Sequence, residues 1–187
     1  MTNLISQCFK NQDKKLITFV TGGDPDFETS NKIIQNIIEN DVDIIEIGMP
    51  FSDPMADGPT IQLSSNRALK KNITLEDVFR LSINAKKINK KLPIILMGYY
   101  NVILYYGIEN FVKKCVSSGV DGLIVVDLQP EEDSDLINLL NKNDIKLIRL
   151  ITPTTDEARL KLILKNASGF LYYVSVMGVT GEKSADI

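Results

Sequence analysis

Short apolar stretches alternate with stretches of helical spacing along this chain, and that alternation restricts the fold more than any single motif. Lys15–Thr21 (KLITFVT), Ile44–Gly48 (IIEIG), Leu92–Met97 (LPIILM), Gly122–Asp127 (GLIVVD), Lys146–Ile151 and Phe170–Ser175 (FLYYVS) read as strands. The later ones are nearly continuous apolar runs, as expected of strands buried on both faces of a parallel sheet. Between them the spacing predicts helices. Residues 2–12 place Leu4, Ile5, Cys8 and Phe9 on one side. Ile33, Ile34, Ile37 and Ile38 recur at helical spacing after a cap at Asp26 or Thr29. A short helix is expected around 61–70, and Thr74-Leu75-Glu76-Asp77 opens another that runs to about Asn89. Helices over 108–118, 131–142 and 156–166 complete the rhythm. No linker interrupts it, so residues 1–187 are expected to form one domain. Two architectures fit: an open doubly wound sheet and a (β/α)₈ barrel. No Gly-rich dinucleotide fingerprint follows the first strand, and periodicity alone does not choose between them.

Composition narrows the partners and the chemistry. A net charge of -3 gives no reason to expect nucleic acid or an anionic membrane surface. No apolar run approaches the roughly 20 residues of a membrane span, and the N-terminus lacks a signal-peptide core, so the expected location is cytoplasmic. The sequence contains no histidine, which excludes Ser-His-Asp and Cys-His nucleophile systems and any histidine-ligated zinc site. Cys8 and Cys115 stand far apart in no metal-binding spacing and read as reduced thiols. Acid–base work in such a chain falls to carboxylates, Lys, Tyr or Cys.

The stretch from Asp43 to Gln62, DIIEIGMPFSDPMADGPTIQ, concentrates those groups. In a strand over 44–48, Ile45 and Ile47 share one face, and Ile44, Glu46 and Gly48 share the other. A buried carboxylate without a partner is costly, so Glu46 calls for an explanation. Gly48 removes a side chain where a ligand or another backbone could come close. The loop that follows is stiffened by prolines and carries Asp53 and Asp57. Aspartate before proline or glycine is ordinarily turn chemistry. A carboxylate inside an apolar strand, followed by an acidic loop at its C-terminal end, instead fits the place where α/β folds build sites.

Glu46-Ile47-Gly48-Met49-Pro50-Phe51-Ser52-Asp53-Pro54-Met55-Ala56-Asp57-Gly58-Pro59-Thr60-Ile61-Gln62 closely resembles the signature of the tryptophan synthase alpha subunit family. The likeness continues through Phe19-Val20-Thr21 with Gly23-Asp24-Pro25, and through Leu96-Met97-Gly98-Tyr99-Tyr100-Asn101. It extends to Gly122–Asp127 with Pro130-Glu131-Glu132, to Tyr172-Tyr173-Val174-Ser175, and to Gly178-Val179-Thr180-Gly181. The resemblance implies a (β/α)₈ TIM barrel with an extra N-terminal helix. It also implies reversible retro-aldol cleavage of indole-3-glycerol phosphate to indole and glyceraldehyde 3-phosphate, a step of tryptophan biosynthesis.

By the same resemblance, Glu46 matches the proton-shuttling carboxyl, and Asp57 the carboxylate that faces the indole N1–H. Phe19, Tyr99, Ile124, Leu150 and Tyr172 match the indole pocket, for which ordinary barrel core is the competing reading. Thr180 and Gly181 match a mobile loop that closes over the site. Pro50, Asp53 and Asn101 lie where the family meets its beta subunit in an α₂β₂ heterotetramer. Gln129 stands where many members carry a further proline. The family's alpha subunit uses neither a cofactor nor a metal, and pyridoxal phosphate belongs to the beta subunit.

The chain ends at Ile187, whereas a full barrel typically needs about 250 residues. About six of eight strand-helix units are therefore expected. The glycine- and serine-rich backbone with which the family holds substrate phosphate has no counterpart here. The sequence reads as a C-terminally truncated alpha subunit, and residues 1–187 alone are expected to show no lyase turnover. The other reading is a catalytically inactive module that only binds a beta subunit.

Overall fold

The computed structural model describes residues 3–11 and 13–175. In chain order the elements are α1 (Leu4–Cys8), β1 (Ile17–Thr21), α2 (Phe27–Glu39), β2 (Ile44–Gly48), α3 (Pro59–Lys70), α4 (Leu75–Ile88), β3 (Ile94–Gly98) and α5 (Tyr100–Tyr106). They continue with α6 (Ile108–Ser118), β4 (Gly122–Val125), α7 (Ser134–Lys142), β5 (Lys146–Ile151), α8 (Glu157–Lys165) and β6 (Leu171–Tyr173).

All pairings are parallel, and the strands lie side by side in sequence order, β1-β2-β3-β4-β5-β6. That order decides between the two architectures. A doubly wound sheet reverses direction at a switch point, which sends its helices to both faces. Here each crossover advances by one strand. Since such crossovers share one hand, the helices fall on one face and the sheet curls away from them, as in a (β/α) barrel.

Strand alternation sorts the side chains accordingly. Ile45, Ile47, Leu96, Leu123 and Leu147 point outward and pack under the helices with Ile34, Val78, Phe111 and Leu136. Ile44, Ile95, Ile124 and Ile148 point inward and form a second apolar cluster with Ile5 of α1. The five-residue α1 therefore plugs the floor of the curled sheet. Its N-cap Asn3 donates to the backbone carbonyls of Asp121 and Asp144, at 3.0 and 2.6 Å. It also accepts the Ile5 N–H at 2.9 Å. Gly122 makes room for the plug, since a Cβ there would lie 2.6 Å from Ile5 Cδ1 and 2.8 Å from Ile148 Cδ1.

Local sequence accounts for most element ends. Asp26 caps α2 by accepting the Thr29 N–H at 2.9 Å. The Thr74 N–H donates to Asp77 at 3.0 Å at the start of α4. Besides shorter spans at some element ends, such as α7 starting at Ser134 and β6 covering only Leu171–Tyr173, three features differ from expectation. The N-terminal helix spans Leu4–Cys8 rather than residues 2–12. Ile33 is exposed, because the buried stripe of α2 runs through Ser30, Ile34 and Ile38. A short helix, α5, begins directly after Tyr99, where the Asp127 carboxylate accepts the Tyr100 N–H at 2.7 Å.

Ile5 is fully buried, so Ile5→Ala leaves a cavity in the floor. Its expected cost is about 2–5 kcal/mol, read as a lowered urea midpoint with little change in slope.

Candidate active site

The inward positions one step above the isoleucine floor carry the chemistry. In register, Glu46 of β2 sits between Phe19 of β1 and Ile95 of β3. Glu46 is 2% exposed, and among the described residues its Oε1 has no hydrogen-bond partner. Burial favours the neutral form and pushes the Glu46 carboxyl up to about 7. Two strand positions on, Gly48 carries no side chain because the Phe19 ring occupies that space: a Cβ there would lie 2.7 Å from Phe19 Cζ. The close approach anticipated at Gly48 is thus made by a neighbouring ring.

Above this floor opens a cavity of about 730 Å³ whose lining includes Phe19, Glu46, Asp57, Met97, Leu150 and Tyr172. Asp57 enters from the loop after β2, half-buried, with its N–H donating to Pro54 O at 3.1 Å. Burial raises its pKa, and the neighbouring Tyr99 hydroxyl opposes the rise. Pro59 opens α3 immediately afterwards, as proline suits a first helical turn. Two contacts anchor α3 to the end of β1: a buried Thr21–Ser64 hydroxyl pair at 2.7 Å, and a bidentate Arg67–Asp24 pair at 2.7 Å. The helix that leaves Asp57 is thereby tied to the strand beside Glu46.

The cavity brings together Glu46, Asp57, Phe19, Leu150 and Tyr172. Tyr172 is raised by burial and by the charge of nearby Glu46. Ile124 lies below, fully buried among the floor isoleucines. Tyr99 lines a small adjoining recess, not the main cavity. Thr180 and Gly181 lie outside the described residues. Pro50, Asp53 and Asn101 surround the same end of the sheet from the loop after β2 and from α5, with Asp53 and Asn101 exposed. Met55 and Tyr105 are exposed hydrophobic neighbours in those two segments. Met97 and Val126 also line the cavity, and sequence reading passed them over. Their signal was the strand alternation that already placed Glu46 inward. Among the described residues, no cluster of Asp, Glu or Cys is arranged to hold a metal ion. Among the same residues, no helix is long and apolar enough to cross a membrane.

A curled parallel sheet with a neutralised carboxyl on its inner face, and a second carboxylate on the next loop, defines a (β/α)-barrel protein with its site at the C-terminal ends of the strands. The sequence profile of the tryptophan synthase alpha chain family matches residues 5–187. The chain is 49% identical over 176 residues to the tryptophan synthase alpha chain of Geotalea uraniireducens, a match that spans 94% of this chain and 66% of that one. The Zymomonas mobilis alpha chain is 48% identical over 185 residues, covering 99% of this chain and 68% of its own. The crystal structure of tryptophan synthase subunit alpha from Legionella pneumophila superposes with a TM-score of 0.89 at 38% identity, over 93% of this chain and 68% of that one. A chain of the tryptophan synthase complex from Pyrococcus furiosus gives a TM-score of 0.82 at 38% identity, over 86% of this chain and 66% of that one. The chain belongs to the tryptophan synthase alpha chain family. It spans about two thirds of the length of these relatives.

The raised Glu46 pKa links protonation to stability. The folded state keeps this proton from about pH 4.5 to about 7, whereas the unfolded chain releases it near 4.5. The contribution is fully present below the unfolded value and is lost as pH rises through the folded one. Glu46→Gln removes that dependence. In urea unfolding the variant is expected to match the parent near pH 4 and to exceed it by roughly 3 kcal/mol at pH 8. Equal differences at both pH values would contradict the assignment.

Proposed function

We propose that this chain carries the lyase chemistry of the tryptophan synthase alpha subunit, the retro-aldol cleavage of indole-3-glycerol phosphate to indole and glyceraldehyde 3-phosphate. The observation that carries the proposal is Glu46: an unpartnered carboxyl, 2% exposed, poised near neutrality at the wall of a cavity it shares with Asp57. A carboxyl titrating near the working pH is suited both to give and to take a proton. In the proposed step Glu46 donates its proton to indole C3 and then, as carboxylate, receives the proton of the C3′ hydroxyl. The C3–C3′ bond breaks, its electron pair restores the indole ring, and the C3′ oxygen becomes the aldehyde carbonyl. Atoms and charge balance with no redox partner. While C3 is protonated, positive charge sits at the indole nitrogen, and an ionised Asp57 offsets it. The two carboxyls thereby divide the work by environment.

Phe19, Leu150 and Tyr172 supply apolar walls for the indole ring, with Ile124 supporting them from beneath. Pro50, Asp53 and Asn101 are proposed to face a beta subunit in an α₂β₂ assembly. The relative from Pyrococcus furiosus was solved as a tryptophan synthase complex. The reading assigns no cofactor to this subunit, gives pyridoxal phosphate to the partner, treats the chain as one barrel domain, and places it in the cytoplasm.

The test is indole release from indole-3-glycerol phosphate, assayed with a beta chain present and with any coding sequence that follows Ile187 included. Glu46→Gln is expected to lower turnover by at least about 10²–10⁴-fold, and Asp57→Asn by about 10²-fold or more. Parent-like turnover in either variant would remove that residue from its role.

A further inference from the structure

Tyr99 falls among the indole-pocket residues by family resemblance, yet its contacts belong to the loop. It is 3% exposed and stands between the end of β3 and the start of α5. Its hydroxyl accepts the backbone N–H of Ala56 at 3.0 Å. Its ring packs on that of Phe51, with centroids 5.4 Å apart. The loop between those residues begins at Met49, whose N–H donates to Met97 O at 2.8 Å. The Met49 side chain fills the space over Gly98, where a Cβ would lie 2.7 Å from Met49 Cε. The end of β3 thus fastens the acidic loop near both its ends, and the later fastening lies one residue before Asp57.

We infer that Tyr99 is a positioning residue: its ring and hydroxyl together clamp the 51–56 segment and hold the Asp57 carboxylate in place at the cavity wall. A phenol has one proton to give. The oxygen accepts from Ala56, one residue before Asp57, so its proton is left to turn toward the adjacent carboxylate, whose pKa the phenol acts to lower. A donor of this kind favours the ionised form of Asp57. Burial raises the phenol to about 12, so it keeps its proton across the neutral range. The titratable groups that line the cavity with Asp57 include Glu46 of β2, Arg149 of β5, Arg159 of α8, and Tyr172 and Tyr173 of β6, and the charge of Asp127 beyond β4 reaches Tyr99.

The role rests on the proposed part of Asp57 in the reaction, but its test is independent of turnover. Tyr99→Phe keeps the ring and removes only the hydroxyl. In the 187-residue chain, carboxyl-carbon NMR is expected to show the Asp57 midpoint moving up by roughly 0.5–1 pH unit. The Ala56 amide is expected to exchange at least about tenfold faster, while β3 amides keep their protection. Phe51→Leu retains the hydroxyl and should leave the Asp57 midpoint within about 0.2 pH unit of the parent, the scatter of such a titration. An unmoved Asp57 midpoint in Tyr99→Phe, unchanged Ala56 exchange, or an equal shift in Phe51→Leu would each overturn the inference. Because neither readout involves indole, loss of the lyase reading would leave this result standing, and the reverse also holds.

Discussion

An ionisable carboxyl, buried with one oxygen that has no hydrogen-bond partner among the described residues, is the constraint to which the middle of this structure is fitted. Glu46 sits in β2 with Phe19 and Ile95 beside it in register and the isoleucine floor beneath it. Ionising it there is opposed by desolvation alone, so the protonated form persists to about neutrality. The surroundings maintain that condition. Ile5 plugs the floor from α1, the Phe19 ring lies over Gly48, and the outward faces of the strands are sealed by helices. Each contact excludes water from one side of the carboxyl, leaving the cavity as its open side.

Glu46 and Asp57 descend from the same strand and loop, yet their environments separate them. Glu46 has burial and no donor. Asp57 is half-buried and faces a donor, and that donor acts against the effect of its burial. A pair of carboxyls divided in this way can hold one proton between them at neutral pH without either site being ambiguous, which is what acid–base work by two like groups requires. The division arises from geometry at the scale of one residue. Strand alternation directs Glu46 inward, and the Tyr99 hydroxyl reaches the backbone next to Asp57.

The sequence made the strand positions, the inward face of Glu46 and most helix caps legible, because each rests on local periodicity or on one side chain meeting a nearby backbone group. The choice between an open sheet and a barrel was not local. It depended on strand order, which no single strand encodes, and family resemblance supplied it before the order β1 to β6 was seen. Arg149 was illegible for a different reason. In KLIRLI an arginine reads as exposed, yet it is 5% exposed on the outer face of β5, paired with Asp133 just before α7 and donating to Leu128 O at 3.1 Å. Only the folded sheet brings that carboxylate over the strand. The α5 helix escaped notice because seven residues, Tyr100–Tyr106, are too few to show a helical period, and its first N–H is satisfied by Asp127 from the neighbouring loop. Tyr99 was assigned to the indole pocket by family resemblance, which carries no information about its hydroxyl. Its polar end has a partner 43 residues earlier in the chain.

Those long-range partners form a series. Asp24 after β1 holds Arg67 of α3, and Tyr99 after β3 holds Ala56 after β2. Asp127 after β4 holds the Tyr100 N–H, and Arg159 of α8 is bound by Glu131 and Gln129 after β4. Every segment that emerges from the C-terminal end of β1 to β4 is therefore pinned to a neighbour by a side chain, beyond the backbone bonds that continue the sheet at the strand ends. Backbone pairing between parallel strands stops about one residue past the strand ends, so side-chain ties set the relative positions of the loops beyond. The exposed Asp53 and Asn101 sit in the same tied layer as Asp57, Asp53 within the segment clamped by Tyr99 and Asn101 in the first turn of α5. A partner that pressed on that face would meet a layer already connected to the cavity wall, and the tie nearest Asp57 is the phenol.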